Sequence, residues 1–253
     1  MRNHVKEKLR AGKVAVGAWM SILNSDAARA VAASGLDWVL FDTEHGPLSF
    51  ETVDRLVRSV CGAGAVPLVR VVWNDINAIK QALDTGALGV VVPWVNSKEE
   101  AENAVTYCLY APEGLRGCAP GRAASAWGIS AEEYLDTVND EVLVAVQIET
   151  RKAVENIEEI VSVEGVDATF IGPADLSASM GYRGRYFHPE VVKAMDRVLE
   201  ACNAAGVAPG IAFGRDVDHI NSLIEQGFRF IGIGSDVGFL STGCRETLKK
   251  IKR

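Results

Sequence analysis

DWVLFDTEHGPLSF, residues 37–50, is the stretch whose reading decides the fold. It begins with an apolar run, Trp38-Val39-Leu40-Phe41, without the polar alternation of a half-exposed strand. Runs of this kind are buried on both faces, as in parallel sheets. The run gives way to Asp42, Glu44 and His45, charged or titratable groups at the point where a buried strand stops. Such residues either cap and solvate the next loop or carry chemistry, and the remainder of the chain must separate the two.

Working outward, seven similar runs recur: VAVGAW (14–19), VPLVRVV (66–72), LGVVVPW (88–94), VLVAVQIE (142–149), ATFIGP (168–173), APGIAF (208–213) and RFIGIGSD (229–236). Helical patterns lie between them. Val53, Leu56, Val57 and Val60 recur at helical spacing on one face, and Ser97 with Glu100 has capping-box spacing before Ala101, Ala104, Val105 and Cys108. In TRKAVENIEEIVSVEG, Thr150 is an N-cap candidate, Val154, Ile157 and Ile160 or Val161 share a face, and Gly165 can end the helix. No Pro/Ser-rich linker interrupts the alternation. The 253 residues match the ~250 of a (β/α)₈ barrel, so the expectation is an α/β fold, one TIM-barrel domain over residues 1–253. A doubly wound open sheet is the alternative, weakened because no GxGxxG turn follows the first strand. The longest interruption, LYAPEGLRGCAPGRAASAWGIS (109–130), is expected to be a lid or a subunit contact.

A net charge of -7 argues against a nucleic-acid partner, which usually needs a basic face, yet a small anionic substrate needs only one or two placed cations. No apolar run reaches the ~20 residues of a membrane span. The first residues, MRNHVKEKLRAGKV, lack an apolar signal-peptide core. Cys61, Cys108, Cys118, Cys202 and Cys244 form no CxxC pair and are odd in number, which suits reduced thiols, a cytoplasmic location and no structural zinc.

Barrel chemistry sits at the C-terminal ends of strands. There the sequence places Asp42, Glu44 and His45 after the second strand, Arg70 in the third, Gln147 and Glu149 in the fifth, Gly172, Ala174 and Asp175 after the sixth, and Ser235-Asp236 after the eighth. Convergence of distant residues on one rim is the functional signal. Each also has a structural alternative: Asp42 or Glu44 as loop acids, His45 as a surface histidine like His4, His188 and His219, Glu149 beside Arg151, Asp175 as a helix N-terminal acid. Arg70 within a buried strand demands an anionic partner, a salt bridge or a substrate oxyanion. Glu149 and Asp175, on adjacent strands, suit a hard divalent cation bound through oxygen, with water and substrate completing the shell. The amides of FIGPADLSASMG suit a carboxylate or phosphate, and those of GIGSDVG (232–238) leave a phosphate site open. No lysine falls within an expected strand, which excludes a Schiff-base mechanism. Trp94 and Phe213, at strand ends, are either a bulky apolar rim or barrel-end packing.

FDTEHG, PLVRVVWND, LYAPEGLRG, VQIET and VEGVDATFIGPADLSASMGYRG together resemble the class II, metal-dependent pyruvate aldolases of the HpcH/HpaI family, from about residue 14 to about residue 236. The resemblance implies a barrel of the phosphoenolpyruvate/pyruvate type, a homo-oligomer, often a hexamer, and a last helix exchanged between subunits. It implies reversible cleavage of a 4-hydroxy-2-oxo acid into pyruvate and an aldehyde. It makes Glu149 and Asp175 the ligands of a divalent cation (Mg²⁺, Mn²⁺ or Co²⁺), with Gln147 in support. Gly172, Ala174 and Asp175 would meet the pyruvate carboxylate and Arg70 the enolate oxygen. His45 would belong to the acid/base apparatus, oriented by Asp42 or Asp84. Arg116 or Arg122 would reach a distal carboxylate of the substrate, from this chain or a neighbouring one. Three competitors remain: a citrate-lyase-β-like lyase acting on CoA thioesters, a metal-independent phosphosugar isomerase, and a non-catalytic binding barrel.

Overall fold

Along the second strand, β2 (Trp38–Asp42), side chains alternate between two apolar clusters: Trp38 and Leu40 join one, Val39 and Phe41 the other. The period of two is the strand's own, since successive Cβ atoms point to opposite faces. Here both faces are dry. The computed structural model describes residues 1–212, 214 and 216–252. In it β1 (Ala15–Met20), β2, β3 (Val66–Arg70), β4 (Gly89–Val92), β5 (Leu143–Ile148), β6 (Ala168–Ile171), β7 (Gly210–Ala212) and β8 (Phe230–Ser235) close in sequence order into a parallel barrel. The expected (β/α)₈ TIM barrel is therefore observed, and the open sheet is not.

The helices are α1 (His4–Arg10), α2 (Ser25–Ala32), α3 (Phe50–Val60), α4 (Ile76–Asp84), α5 (Lys98–Cys108), α6 (Gly121–Trp127) and α7 (Ala131–Glu141). They continue with α8 (Arg151–Glu155), α9 (Ile157–Val161), α10 (Pro173–Ser179), α11 (Pro189–Ala205), α12 (Val217–Gln226) and α13 (Asp236–Lys250). Val53, Leu56, Val57 and Val60 of α3 are buried against the strands, as are Ala101, Ala104, Val105 and Cys108 of α5. No helix among the described residues is long and apolar enough to cross a membrane.

Inside the barrel, Trp38, Leu40, Leu68, Leu143, Ala145, Phe170 and Phe230 form the core, and Val5 and Leu9 of α1 close its N-terminal end. Each of the leucines and phenylalanines among them stabilises the fold by roughly 1.5–3 kcal/mol when fully buried. Trp38 fits only because Gly17 faces it: a Cβ there would lie 2.0 Å from the indole. Trp38 then packs on Phe230 at 4.7 Å between ring centroids.

Two expectations need correction. Residues 150–165 are not one helix. Thr150 does cap α8, accepting from the Ala153 amide at 3.0 Å, but the helix breaks at Asn156, whose side chain donates to the Asn96 carbonyl at 2.8 Å. The segment 109–130 is not a lid over its own barrel. It contains α6 and packs on the flank of α3 and α4: the Trp127 indole donates to the Gly86 carbonyl at 2.8 Å, and Arg58 donates to the Arg122 carbonyl at 3.1 Å. The last helix, α13, buries only Asp236 and leaves Val237, Leu240 and Leu248 exposed.

Candidate active site

The inward phase of each strand delivers the polar residues. On β2 the inward line runs Trp38, Leu40, Asp42; on β3 it runs Val66, Leu68, Arg70; on β5 it runs Leu143, Ala145, Gln147 and, one step beyond the strand, Glu149. On β6 it runs Ala168, Phe170, Gly172. Core positions turn polar at one level of the barrel, and pairing Asp42 with Arg70 in register puts them side by side.

Arg70, 8% exposed, makes a two-pronged contact with Asp42: Nε to Oδ1 at 2.9 Å and Nη2 to Oδ2 at 2.7 Å. Its remaining terminal nitrogen, Nη1, is 3.0 Å from Glu44 Oε2, at an angle that leaves that oxygen without a hydrogen-bond donor. From below, the guanidinium rests on the Trp19 ring, 4.3 Å from its centroid. Such forked pairing holds an arginine in one orientation. Burial pushes the Glu44 carboxyl above its ordinary range, against the pull of Arg70.

Glu149 is 1% exposed and accepts two hydrogen bonds, from the Trp94 amide at 2.8 Å and from Gln147 Nε2 at 2.9 Å. Burial raises its pKa to about 7, and the negative charges of Glu44 and Asp175 add to the rise. Gly172 is required here, because a Cβ would sit 2.7 Å from Glu149 Oε2. Gly172 caps α10, whose first turn holds Pro173, Ala174 and Asp175; first-turn amides have no partner within their helix. Buried Gln147 Oε1, beside Glu149, accepts no hydrogen bond.

This donor set fits a hard divalent cation. Burial and the nearby charge of Asp175 raise the proton affinity of both Glu44 and Glu149, and Glu44 adds to the rise at Glu149, while Arg70 is engaged by Asp42 and Glu44, so this cluster is short of positive charge. Carboxylate oxygens beside an orphaned amide oxygen are the chemistry magnesium or manganese prefers. Among the described residues no group of three or more His, Cys, Asp or Glu side chains encloses a metal position, so Glu149 and Asp175 would hold it with water and substrate.

His45 stands at the outer edge, 65% exposed, with Nε2 3.8 Å from Glu44 Oε1. Asp42 Oδ1 accepts the backbone amides of Glu44 at 3.1 Å and His45 at 3.2 Å, so it shapes the loop that carries the imidazole and does not bond the ring. Asp84 is not brought to this rim within one chain. It is the last residue of α4, toward the opposite end, where Arg116 Nη2 donates to it at 2.9 Å. Arg116 is enclosed by Tyr110 and Tyr134, and Arg122, on α6, faces α3 with its Nη1 3.5 Å from Asp54 Oδ1. Neither arginine reaches the rim of its own barrel, because the segment carrying them packs on the barrel's flank. Asp236 accepts the Ser21 and Ile22 amides at 2.9 and 2.7 Å, a structural use that ties β1 to β8. Every lysine lies off the strands. Phe213 falls outside the described residues.

Sequence reasoning missed Trp19, the Glu44–Arg70 contact and the Trp94 amide. Inward phase at the end of β1 could have found Trp19; the amide depends on a backbone turn no residue type announces.

Comparison with known proteins is consistent with this geometry. Residues 15–242 match the family model of the HpcH/HpaI aldolase/citrate lyase family. The chain is 41% identical over 245 residues to a 4-hydroxy-2-oxo-heptane-1,7-dioate aldolase of Salmonella typhimurium, covering 96% of this chain and 92% of that one. It is similar to the crystal structure of an HpcH/HpaI aldolase/citrate lyase family protein from Burkholderia cenocepacia J2315 (TM-score 0.91, 37% identity, 98% of each chain). It also matches that of an HpcH/HpaI aldolase from Desulfitobacterium hafniense DCB-2 (TM-score 0.89, 33% identity, 98% of this chain and 97% of that one). The chain therefore belongs to the HpcH/HpaI aldolase/citrate lyase family and is a lyase of the aldolase type.

Proposed function

We propose that this chain reversibly cleaves a 4-hydroxy-2-oxo acid into pyruvate and an aldehyde, using a divalent cation held by Glu149 and Asp175. The observation that carries the reading is the buried Glu149 carboxylate, fixed by the Trp94 amide and Gln147, on the same rim as an arginine locked by Asp42.

In cleavage the C3–C4 bond breaks, the 4-hydroxyl loses its proton and the bonding electrons move to the C2 oxygen as an enolate. Arg70 faces that charge, preorganised by Asp42 and by Trp19 beneath it, so little reorganisation is needed as the charge develops. First-turn amides at Ala174 and Asp175 orient the 2-oxo acid's carboxylate. Gly172 leaves the backbone room to approach, since any side chain there would strike Glu149. His45, exposed and neighboured by Glu44, takes the hydroxyl proton through water and returns a proton to C3, giving the pyruvate methyl. When bound, the cation supplies Lewis acidity to the keto group.

Residues 1–253 act as one domain in this reading, and the assembly is a homo-oligomer, hexamer favoured, exchanging α13. The exposed Val237, Leu240 and Leu248 on that helix support a partner for it. Arg122 and Asp84, remote from their own rim, serve the site of a neighbouring chain. A cytoplasmic setting is consistent with the free thiols of all five cysteines.

The test is exchange of pyruvate methyl protons in D₂O, followed by NMR, with EDTA-treated protein and with Mg²⁺, Mn²⁺ or Co²⁺ restored. Metal-dependent exchange, lost in Glu149→Ala, is expected. Folded protein that shows no exchange with any of these metals overturns the proposal. CoA-thioester turnover, measured alongside, is expected to be absent.

A further inference from the structure

Two tryptophans stand on the rim where strands β3 and β4 run out. Trp73 is 55% exposed and Trp94 is 40% exposed, and their rings stack at 29°, with centroids 6.4 Å apart. Large aromatic side chains left in water forfeit burial energy, and an exposed apolar patch of this kind marks a binding surface.

The backbone beneath them is strained. Trp94 has φ +55°, a left-handed conformation that bulky residues rarely adopt. The strain is held in place on both sides of the residue. Its amide donates to Glu149 Oε1 at 2.8 Å, and its carbonyl accepts from the Asn96 side chain. Asn96 is itself gripped by Thr150, Asn156 and Glu100. An over-determined outlier beside a reactive carboxylate points to function. The turn that aims the Trp94 amide at Glu149 also turns its indole out over the rim. Trp73 follows three residues after Arg70 and the Trp94 amide bonds Glu149, so the ring pair stands on the rim beside both of those residues.

We propose that Trp73 and Trp94 form the wall that receives the aldehyde half of the substrate, and that this half is an aromatic or similarly flat apolar group. The assignment rests on the aldolase reading and specifies its substrate class. Offset stacking on an indole face rewards a planar ring and gives nothing to a two-carbon aldehyde. Trp73 and Trp94 are specificity-determining residues in this scheme.

The experiment has two arms. Pyruvate proton exchange in the wild type tests the aldolase reading itself. Initial kcat/KM for addition of pyruvate to benzaldehyde, divided by that for acetaldehyde, tests the wall in the wild type, Trp73→Ala, Trp73→Leu and Trp94→Met. The wild type should favour benzaldehyde, and the ratio should fall about tenfold in each variant, the order that one aromatic contact supplies. Exchange in the wild type with a ratio that moves less than twofold in all three variants overturns the wall. So does an unmoved ratio together with an altered sedimentation coefficient, which assigns the pair to a subunit contact. Absence of exchange in the wild type instead overturns the aldolase reading. Because Trp73 is exposed, Trp73→Ala is expected to fold; quenching of wild-type tryptophan fluorescence by benzaldehyde, stronger than by acetaldehyde, provides a readout that needs no variant.

Discussion

The two ends of the barrel use buried charge in opposite ways. At the N-terminal end, Asp37 and Asp167 stand just before β2 and β6, four strands apart, and have parallel surroundings. Each accepts the amide of a neighbouring strand, from Val16 at 2.9 Å and Val144 at 3.0 Å, and each is met by a lysine of α1, Lys8 and Lys6. At the C-terminal end one arginine faces Asp42 and Glu44, with Glu149 and Asp175 close by, and Glu44 Oε2 and Gln147 Oε1 lack hydrogen-bond donors. The lower end is electrically closed by its own chain. The upper end is short of positive charge and of donors, which is what a site awaiting a cation and an anionic substrate requires. Matched buried charges serve the fold; unmatched ones mark the chemistry.

The largest effect that tests this contrast is Glu149→Gln. Proton exchange should fall by at least about a thousandfold, since the proposed cation would lose a ligand. Stability of the metal-free protein should hold or rise. The sign follows from Glu149's raised pKa of about 7: the folded protein binds the proton more tightly than the unfolded chain, so ionisation costs stability as pH rises from the ordinary carboxylate value through about 7. Urea unfolding at pH 4 and pH 8 should show the variant close to wild type at the first and more stable at the second. A variant less stable at pH 8 would erase the contrast between the ends.

Next is Lys6→Met at the lower end. It leaves Asp167 buried without its lysine, 3.1 Å away in the native protein, and should cost about 3–5 kcal/mol of stability. Burial holds Asp167 above the usual carboxylate range, so the loss should be greatest at neutral pH and shrink as acid protonates the carboxyl. Urea titrations at pH 4.5 and 7.5 check this, while the variant that remains folded should keep its proton-exchange rate.

Arg70→Lys sharpens the comparison at the upper end. A lysine keeps the charge but loses the forked contact to Asp42 and the stacking on Trp19, and kcat should drop by about a hundredfold. Steady-state rates that separate kcat from KM distinguish lost positioning from lost binding.

The smallest effect is Ser49→Ala. Ser49 caps α3 near the upper rim, accepting the Thr52 amide at 3.3 Å, and its loss should cost about 1 kcal/mol by thermal unfolding with proton exchange unchanged. That result would show that position near the mouth is not enough; inward phase on a strand is what confers a role.

Much of this was legible in the residues alone. Eight continuously apolar runs separated by amphipathic helices specify a parallel barrel, because a chain with strands dry on both faces must cover them with helices. Period two carries Asp42, Arg70, Gln147 and Glu149 inward as continuations of core lines, so their convergence follows from strand geometry. Thr150 and Ser97 announced their caps by residue type, and both accept the amides expected of them. Tertiary structure alone decided the rest. Asp84, Arg116 and Arg122 sit far from their own rim because helix ends and a flanking segment, whose placement local pattern does not encode, carry them there. The break at Asn156 depends on a carbonyl sixty residues earlier in the chain. The left-handed turn at Trp94 exists because Glu149 lies opposite its amide. Local sequence governs which face of an element is apolar and where it starts; only closure of the barrel determines which distant groups meet, since their contacts depend on packing and not on spacing along the chain.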